Sequence, residues 1–177
     1  MNNNHYFEQE SEHFYYRKMS MDNIATWSGF FIHNDRLRFL GIDPTGKSKN
    51  ELSQVWIQKQ LDRYEAFGLG HLAAFAKENN ELTGVAGILP KTIEGAIMYE
   101  VAYSLLPEHW GKGYATEMAQ QMKHFGFSHL KLESMISIIH IENYDSAKVA
   151  IKNGMTIWKN TTYMDMDVQI YKIKKVK

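Results

Sequence analysis

Trp110-Gly111-Lys112-Gly113-Tyr114-Ala115-Thr116 separates a strand-like segment ending at Pro107 from an amphipathic segment that starts near Gly113. After the turn, Ala115, Met118, Ala119, Met122 and Phe125 recur at i, i+3, i+4 spacing, while Glu117, Gln120, Gln121, Lys123 and His124 fall elsewhere. The run therefore opens a helix with one buried face. A helix start leaves backbone N–H groups without partners and carries the positive end of the macrodipole, so an anion there meets donors and field together. Gly111 and Gly113 let the backbone approach such an anion closely. An ordinary tight turn fits the same residues, and the loop alone does not separate the two.

Two other phosphate readings fail on context. A dinucleotide fingerprint needs a third small residue where Thr116 stands, near the start of its βαβ unit, whereas this loop follows several strand-like segments. Gly41-Ile42-Asp43-Pro44-Thr45-Gly46-Lys47-Ser48 satisfies the P-loop pattern residue for residue. The preceding Asp35-Arg36-Leu37-Arg38-Phe39-Leu40 is too charged for the buried strand a P-loop requires, so the match reads as coincidence.

Outward from the turn, the pattern predicts a strand over His13 to Arg17 and a helix capped by Asp22 running to about Ile32. A loop follows from Asn34 to Lys49, then a helix capped by Asn50 that stops at Gly68. Strands are expected over His71 to Ala76 and Leu82 to Leu89, joined as a hairpin by Glu78-Asn79-Asn80-Glu81. Met98 to Leu106 supplies the next strand, and Glu133 to Ile139 a buried one after the helix ending near Phe127. A short helix from about Asp145 to Asn153 ends at Gly154, and strands near Thr156 to Tyr163 and Asp167 to Ile173 close the chain. Trp27, Phe30, Phe31 and Tyr64 read as core, with an acceptor groove as the alternative. The basic end, Lys172, Lys174, Lys175 and Lys177, reads as a solvated tail.

The 177 residues suffice for one core and carry no linker or repeat, so the expectation is a single domain over 1–177 with residues 1–12 a flexible or peripheral start. Twenty basic and twenty acidic residues cancel, giving no field that would attract nucleic acid or an anionic membrane. The absence of cysteine excludes disulfides, cysteine-ligated zinc and a thiol acyl-enzyme. No two histidines stand at i and i+4, so no metal is expected. Met1-Asn2-Asn3-Asn4-His5 lacks a signal-peptide pattern, which makes the cytoplasm the default compartment.

Four segments together carry a resemblance: Glu100-Val101-Ala102-Tyr103-Ser104-Leu105-Leu106-Pro107, Trp110 to Glu117, Asn143-Tyr144-Asp145-Ser146 and Asn153-Gly154-Met155. They resemble the GNAT acyltransferase superfamily, and within it the ribosomal-protein N-acetyltransferase (Rim-type) branch. That branch has a loop similar to Arg38 to Pro44, which accounts for the P-loop match without a nucleotide. The superfamily's coenzyme A signature maps onto Trp110 to Ala115, with both small positions, Gly113 and Ala115, filled and Trp110 where Gln or Arg is usual.

The resemblance implies an α/β fold, a mixed and mainly antiparallel central sheet with helices on both faces and a splayed strand pair. It implies direct transfer of an acetyl group from acetyl-CoA to a primary amine. The acceptor is either a protein N-terminal α-amine or a small molecule, and an acyl-CoA-binding module without activity is the alternative. Many members of the branch are homodimers.

Backbone amides from Gly111 through Lys112, Gly113, Tyr114 and Ala115 to Thr116 would hold the pyrophosphate, with Lys112 either adding a contact or remaining solvated. Backbone groups of Leu105 and Leu106 would pair with the pantetheine arm. Glu100 would take the amine's proton, its pKa raised by burial among apolar strand neighbours; a Glu facing solvent or pairing with a lysine is the alternative, and Glu108 the runner-up. Asn143 would contact pantetheine and Ser146 would protonate the thiolate, or both would serve as helix caps. Many superfamily members carry a Tyr acid where this chain has Ala150.

Overall fold

The computed structural model describes residues 4–176. Strands β1 (Gln9–Glu10), β2 (Phe14–Lys18), β3 (His71–Ala76), β4 (Leu82–Ile93), β5 (Ala96–Leu105), β6 (Ser134–His140), β7 (Thr156–Tyr163) and β8 (Met166–Lys174) form one sheet in the order β1-β2-β3-β4-β5-β6-β8-β7. Neighbours are antiparallel except β5 and β6, which run parallel and share the single ladder position Glu100–Ile136.

The helices are α1 (Ile24–Trp27), α2 (Lys49–Phe67), α3 (Tyr114–Ser128) and α4 (Tyr144–Lys152). Strand alternation sends successive side chains to opposite faces and so builds apolar packing on each. Ala73 and Val85 pack with Trp27, Phe30, Leu52 and Ile57 on the side of α1 and α2. Leu72, Ala74, Ala86 and Ile88 pack with Met118, Met122 and Phe125 of α3. Helices cover both faces, and no described helix is long and apolar enough to cross a membrane.

Several boundaries differ from the sequence expectation for identifiable reasons. The first helix is broken into 3-10 turns at Met21–Asn23 and Ser28–Phe31 around the four residues of α1, and its N-cap is Ser20, not Asp22. Ser48 caps α2 two residues before Asn50, closing a box in which Glu51 N donates to Ser48 Oγ (3.2 Å) and Ser48 N to Glu51 Oε2 (2.7 Å). The Asn34 to Lys49 loop contains a 3-10 helix, Asp35–Leu40, opened by the Asn34 side chain accepting from Arg36 N. β4 extends through Pro90 to Ile93 because Pro90 lies beyond the last β3 partner, Gly87, where a missing N–H forfeits no ladder bond.

Within the segment expected to be flexible or peripheral, residues 6–10 are built into the fold. Tyr6 is fully buried, donates to Gly70 O (2.6 Å) and accepts from Ile88 N (2.8 Å), and Gln9 and Glu10 pair with β2. Only residues 1–3 of the segment expected to be flexible lie outside the described residues. Nor is the basic end simply a tail: Lys172 and Lys174 belong to β8, and the Lys172 ammonium sits 4.6 Å from the Trp158 ring centroid. Lys177 lies outside the described residues.

Candidate active site

Beyond Glu100 and Ile136 the two parallel strands separate. The splayed strand pair that the resemblance implies is β5 and β6. Leu106 N donates to Thr83 O at 3.0 Å, which marks Thr83 and Leu106 as a hydrogen-bonded pair. Antiparallel alternation then turns the N–H and C=O of Leu105, Tyr103 and Val101 away from β4 and toward β6. Two side chains close part of that row: Ser137 Oγ donates to Val101 O (2.9 Å) and Trp110 Nε1 to Leu105 O (3.1 Å). The N–H groups of Tyr103 and Leu105 and the Tyr103 carbonyl face the opening.

Leu106, by contrast, is used up. Its N–H goes to Thr83, its carbonyl accepts from His109 N (3.0 Å), and its side chain is buried with Trp27 and Val85. The sequence placed Leu105 and Leu106 together at this edge; register keeps Leu105 and adds Tyr103.

At the end of β5 the chain turns through a short 3-10 helix, Pro107–His109, into the glycine loop. Gly111 (φ 78°) and Gly113 (φ 82°) occupy the left-handed region, and a Cβ at either would meet nothing within 4 Å. Helix α3 has no side-chain cap, and its first bonds run from Thr116 N and Glu117 N to Gly113 O. The amides of Gly111 to Ala115 find no acceptor among the described residues. The start of α2 is the opposite case, closed by Ser48, Glu51 and the Asp43 carboxylate accepting from Thr45 N (2.9 Å). A 3-10 helix, not a strand, precedes it, so the P-loop-like run lacks both the strand and the free donors.

Around the loop, Lys112 is exposed, Ala115 and Thr116 are half-buried, and the Tyr114 ring packs edge-on against Phe14 at 5.0 Å. Arg36 lies 3.9 Å over the Trp110 ring and pairs with Asp145 at 2.7 Å, while Arg38 reaches Glu142 at 3.3 Å. The segment Asp35–Leu40 thus straps the end of β5 to the start of α4 across the opening.

A cavity of about 250 Å³ lies beneath this strap, walled by α2, β3 to β6, the first turn of α4 and the β7–β8 turn. Glu100 is 9% exposed within it, 3.4 Å from Lys91 Nζ and accepting from Ile138 N at 3.4 Å. Burial raises its carboxyl pKa, and the Lys91 charge opposes without overcoming the rise. Asn143 Oδ1 accepts from Ser146 N (3.3 Å), so Asn143 is the cap of α4 and Ser146 the residue whose N–H is capped. The Ser146 hydroxyl is half-buried on the cavity wall, beside the Tyr103 phenol. Tyr103 OH donates to Ser146 O (3.2 Å), and burial raises the phenol pKa. Ala150 is buried in the core.

Trp27, Phe30 and Phe31 are core with no place on the cavity wall; Trp56 is there instead. Glu108 is exposed in the 3-10 turn and does not line the cavity. Sequence reasoning missed Tyr103, Lys91, Arg63 and His71. Only Tyr103 left a trace, its place two residues before Leu105 on the strand that opens.

The GNAT acetyltransferase domain family model matches residues 14–156. An uncharacterised Bacillus subtilis protein, YkkB, is 28% identical over 130 residues, 73% of this chain and 76% of that one. The crystal structure of an acetyltransferase from Agrobacterium tumefaciens superposes with a TM-score of 0.78 at 23% identity, covering 94% of each chain. That of RimL, a ribosomal L7/L12 alpha-N-protein acetyltransferase in complex with coenzyme A, gives 0.71 at 17% identity, covering 93% of this chain and 95% of that one. These structures share the fold. With the open β5–β6 edge leading into an uncapped glycine turn, and the family model spanning most of the sequence, the chain belongs to the GNAT family of acetyl-CoA-dependent acetyltransferases.

Proposed function

We propose that the protein moves the acetyl group of acetyl-CoA in one step to a primary amine seated in the cavity, with Glu100 as the proton acceptor. The observation that carries this reading is the buried Glu100 carboxylate on the same cavity that the open β5 edge borders.

The pyrophosphate lies on the free amides of Gly111 to Ala115, Thr116 N being taken by Gly113 O, with Lys112 at the exposed side. The pantetheine amides pair with the free backbone groups of Tyr103 and Leu105, and the Asn143 amide nitrogen is a side-chain donor on the cavity wall at the start of α4. Glu100 takes a proton from the ammonium; the freed lone pair attacks the thioester carbon, and the C–S bond breaks. The thiolate takes its proton from the Ser146 hydroxyl, beside which stands the Tyr103 phenol, and the second proton, lost from nitrogen as the amide forms, passes through solvent to restore that hydroxyl. Because a thiol has a pKa of about 8.5, this last transfer contributes little to the rate. A raised carboxyl pKa makes Glu100 a better base near neutrality than an exposed Glu. The chain has no cysteine to carry the acetyl group.

The Rim-type likeness supports a protein N-terminal α-amine as acceptor. A cavity of about 250 Å³ lies below the usual ligand-pocket range of about 300–1,000 Å³, which supports a small amine or the terminal residue of a chain. Thiol release from acetyl-CoA, measured against a panel of small amines and peptides, tests the proposal. Turnover should appear with at least one amine and fall about 100-fold or more in Glu100→Gln. Undiminished turnover in that variant would remove Glu100 from the mechanism.

A further inference from the structure

The cavity wall carries a charge imbalance that transfer to an amine does not require. Lys59, Arg63 and Lys91 line it against one carboxylate, Glu100. Lys91 and Glu100 offset each other at 3.4 Å. Among the described residues no carboxylate lies within ion-pair distance of Arg63 or Lys59.

Arg63 is also held in place. It is half-buried, and its Nη1 donates to Gln60 Oε1 at 3.0 Å. Gln60 is buried and anchored in turn, donating to Trp56 O and accepting from His71 N, both at 3.2 Å. One corner of the guanidinium is thereby tied to α2, leaving its other donors for the cavity. His71, on the same wall, reports the local field: burial first, then the charges of Arg63 and Lys91, push its imidazole well below the usual range. A fixed guanidinium with unused donors and no counter-ion suits a planar anion, which it binds through two parallel hydrogen bonds.

We infer, resting on the reading of this cavity as the acceptor site, that the acceptor is a small amine bearing a carboxylate, bound by Arg63 while its amino group meets Glu100. The two ends of such a molecule match the Glu100 and Arg63 ends of the cavity. Polyamines and aminoglycosides would set a second cation against Arg63 and Lys59, a repulsion that selects against them. The positive wall also favours the neutral, attacking form of the amine.

Matched pairs test this: glycine against glycinamide, and β-alanine against its amide, with spermidine and a peptide lacking acidic side chains alongside. The acids should exceed their amides in kcat/KM by about 10–100-fold, the range for a charge-assisted Arg–carboxylate contact. Arg63→Gln should collapse that ratio to about one through the KM of the acid, and Arg63→Lys should restore part of it. Lys59→Gln, at an exposed position, should reduce the ratio less, and a retained cooperative melt shows that either variant is folded.

Calorimetry of the same acids and amides with the CoA-loaded protein reads the preference without turnover. Absence of transfer to every amine would sink the proposed reaction, whereas equal binding of acid and amide would overturn the carboxylate inference. So would a preference for spermidine, or an Arg63→Gln ratio equal to that of the wild type.

Discussion

Replacing Lys91 with Met should suppress the acid side of the pH–rate profile. Glu100 works only when ionised, so activity falls as pH drops through its pKa, which burial has raised and Lys91 at 3.4 Å is the largest influence in lowering. Lys91 and Glu100 side chains are 18% and 11% exposed, which places the pair between surface pairs worth up to about 1 kcal/mol and buried ones whose disruption costs about 3–5 kcal/mol. A loss of about 1–2 kcal/mol for the ionised form corresponds to a roughly 5–30-fold lower rate on the acid limb. At alkaline pH, where Glu100 is ionised in both proteins, the rates should converge. The assay is kcat from thiol release with acetyl-CoA and amine both saturating, so that altered acceptor binding does not enter. An acid limb left where it was, or moved to lower pH, would refute the assignment of Glu100 and Lys91 as a coupled base and partner.

Stability should carry the same signature. A carboxyl whose folded-state pKa lies above its unfolded value contributes most below the unfolded value and loses that contribution as pH rises through the folded one. Glu100→Gln should therefore gain stability relative to wild type between the acid range and neutrality, measured by denaturant unfolding at several pH values. Asn143→Ala removes the α4 cap and should cost about 1 kcal/mol, whereas Ser146→Ala should leave the melting midpoint unchanged and lower kcat by less than about tenfold. Gly113→Val forces a β-branched residue into φ 82° at the uncapped start of α3, and acetyl-CoA affinity by calorimetry should fall at least about tenfold with the cooperative melt retained.

The long elements were legible because their signals are local. Residues such as Met118, Met122 and Phe125 repeat at helical spacing, and Gly68 and Gly154 stop their helices in the left-handed region. The 3-10 turns at Ser28–Phe31 and Asp35–Leu40 were missed because runs of four to six residues carry no period to detect. The site divides the same way. Gly111, Gly113 and Asn143 are local turn and cap chemistry, which a single segment displays. That Tyr103 faces the opening and Leu106 does not depends on which residues of β4 and β5 pair, information held by two strands together. Arg63, His71, Lys91 and Glu100 come from α2, β3, β4 and β5, and no single-segment pattern predicts that they share a wall.

Direct transfer is tested by intact-protein mass measured after mixing with acetyl-CoA, first without an acceptor and then with a carboxylate-bearing amine. One-step transfer across the β5–β6 opening predicts an unmodified protein mass at both stages and acetylated amine equal to the CoA released. An acetylated protein that forms without the amine and discharges when it is added would contradict that route.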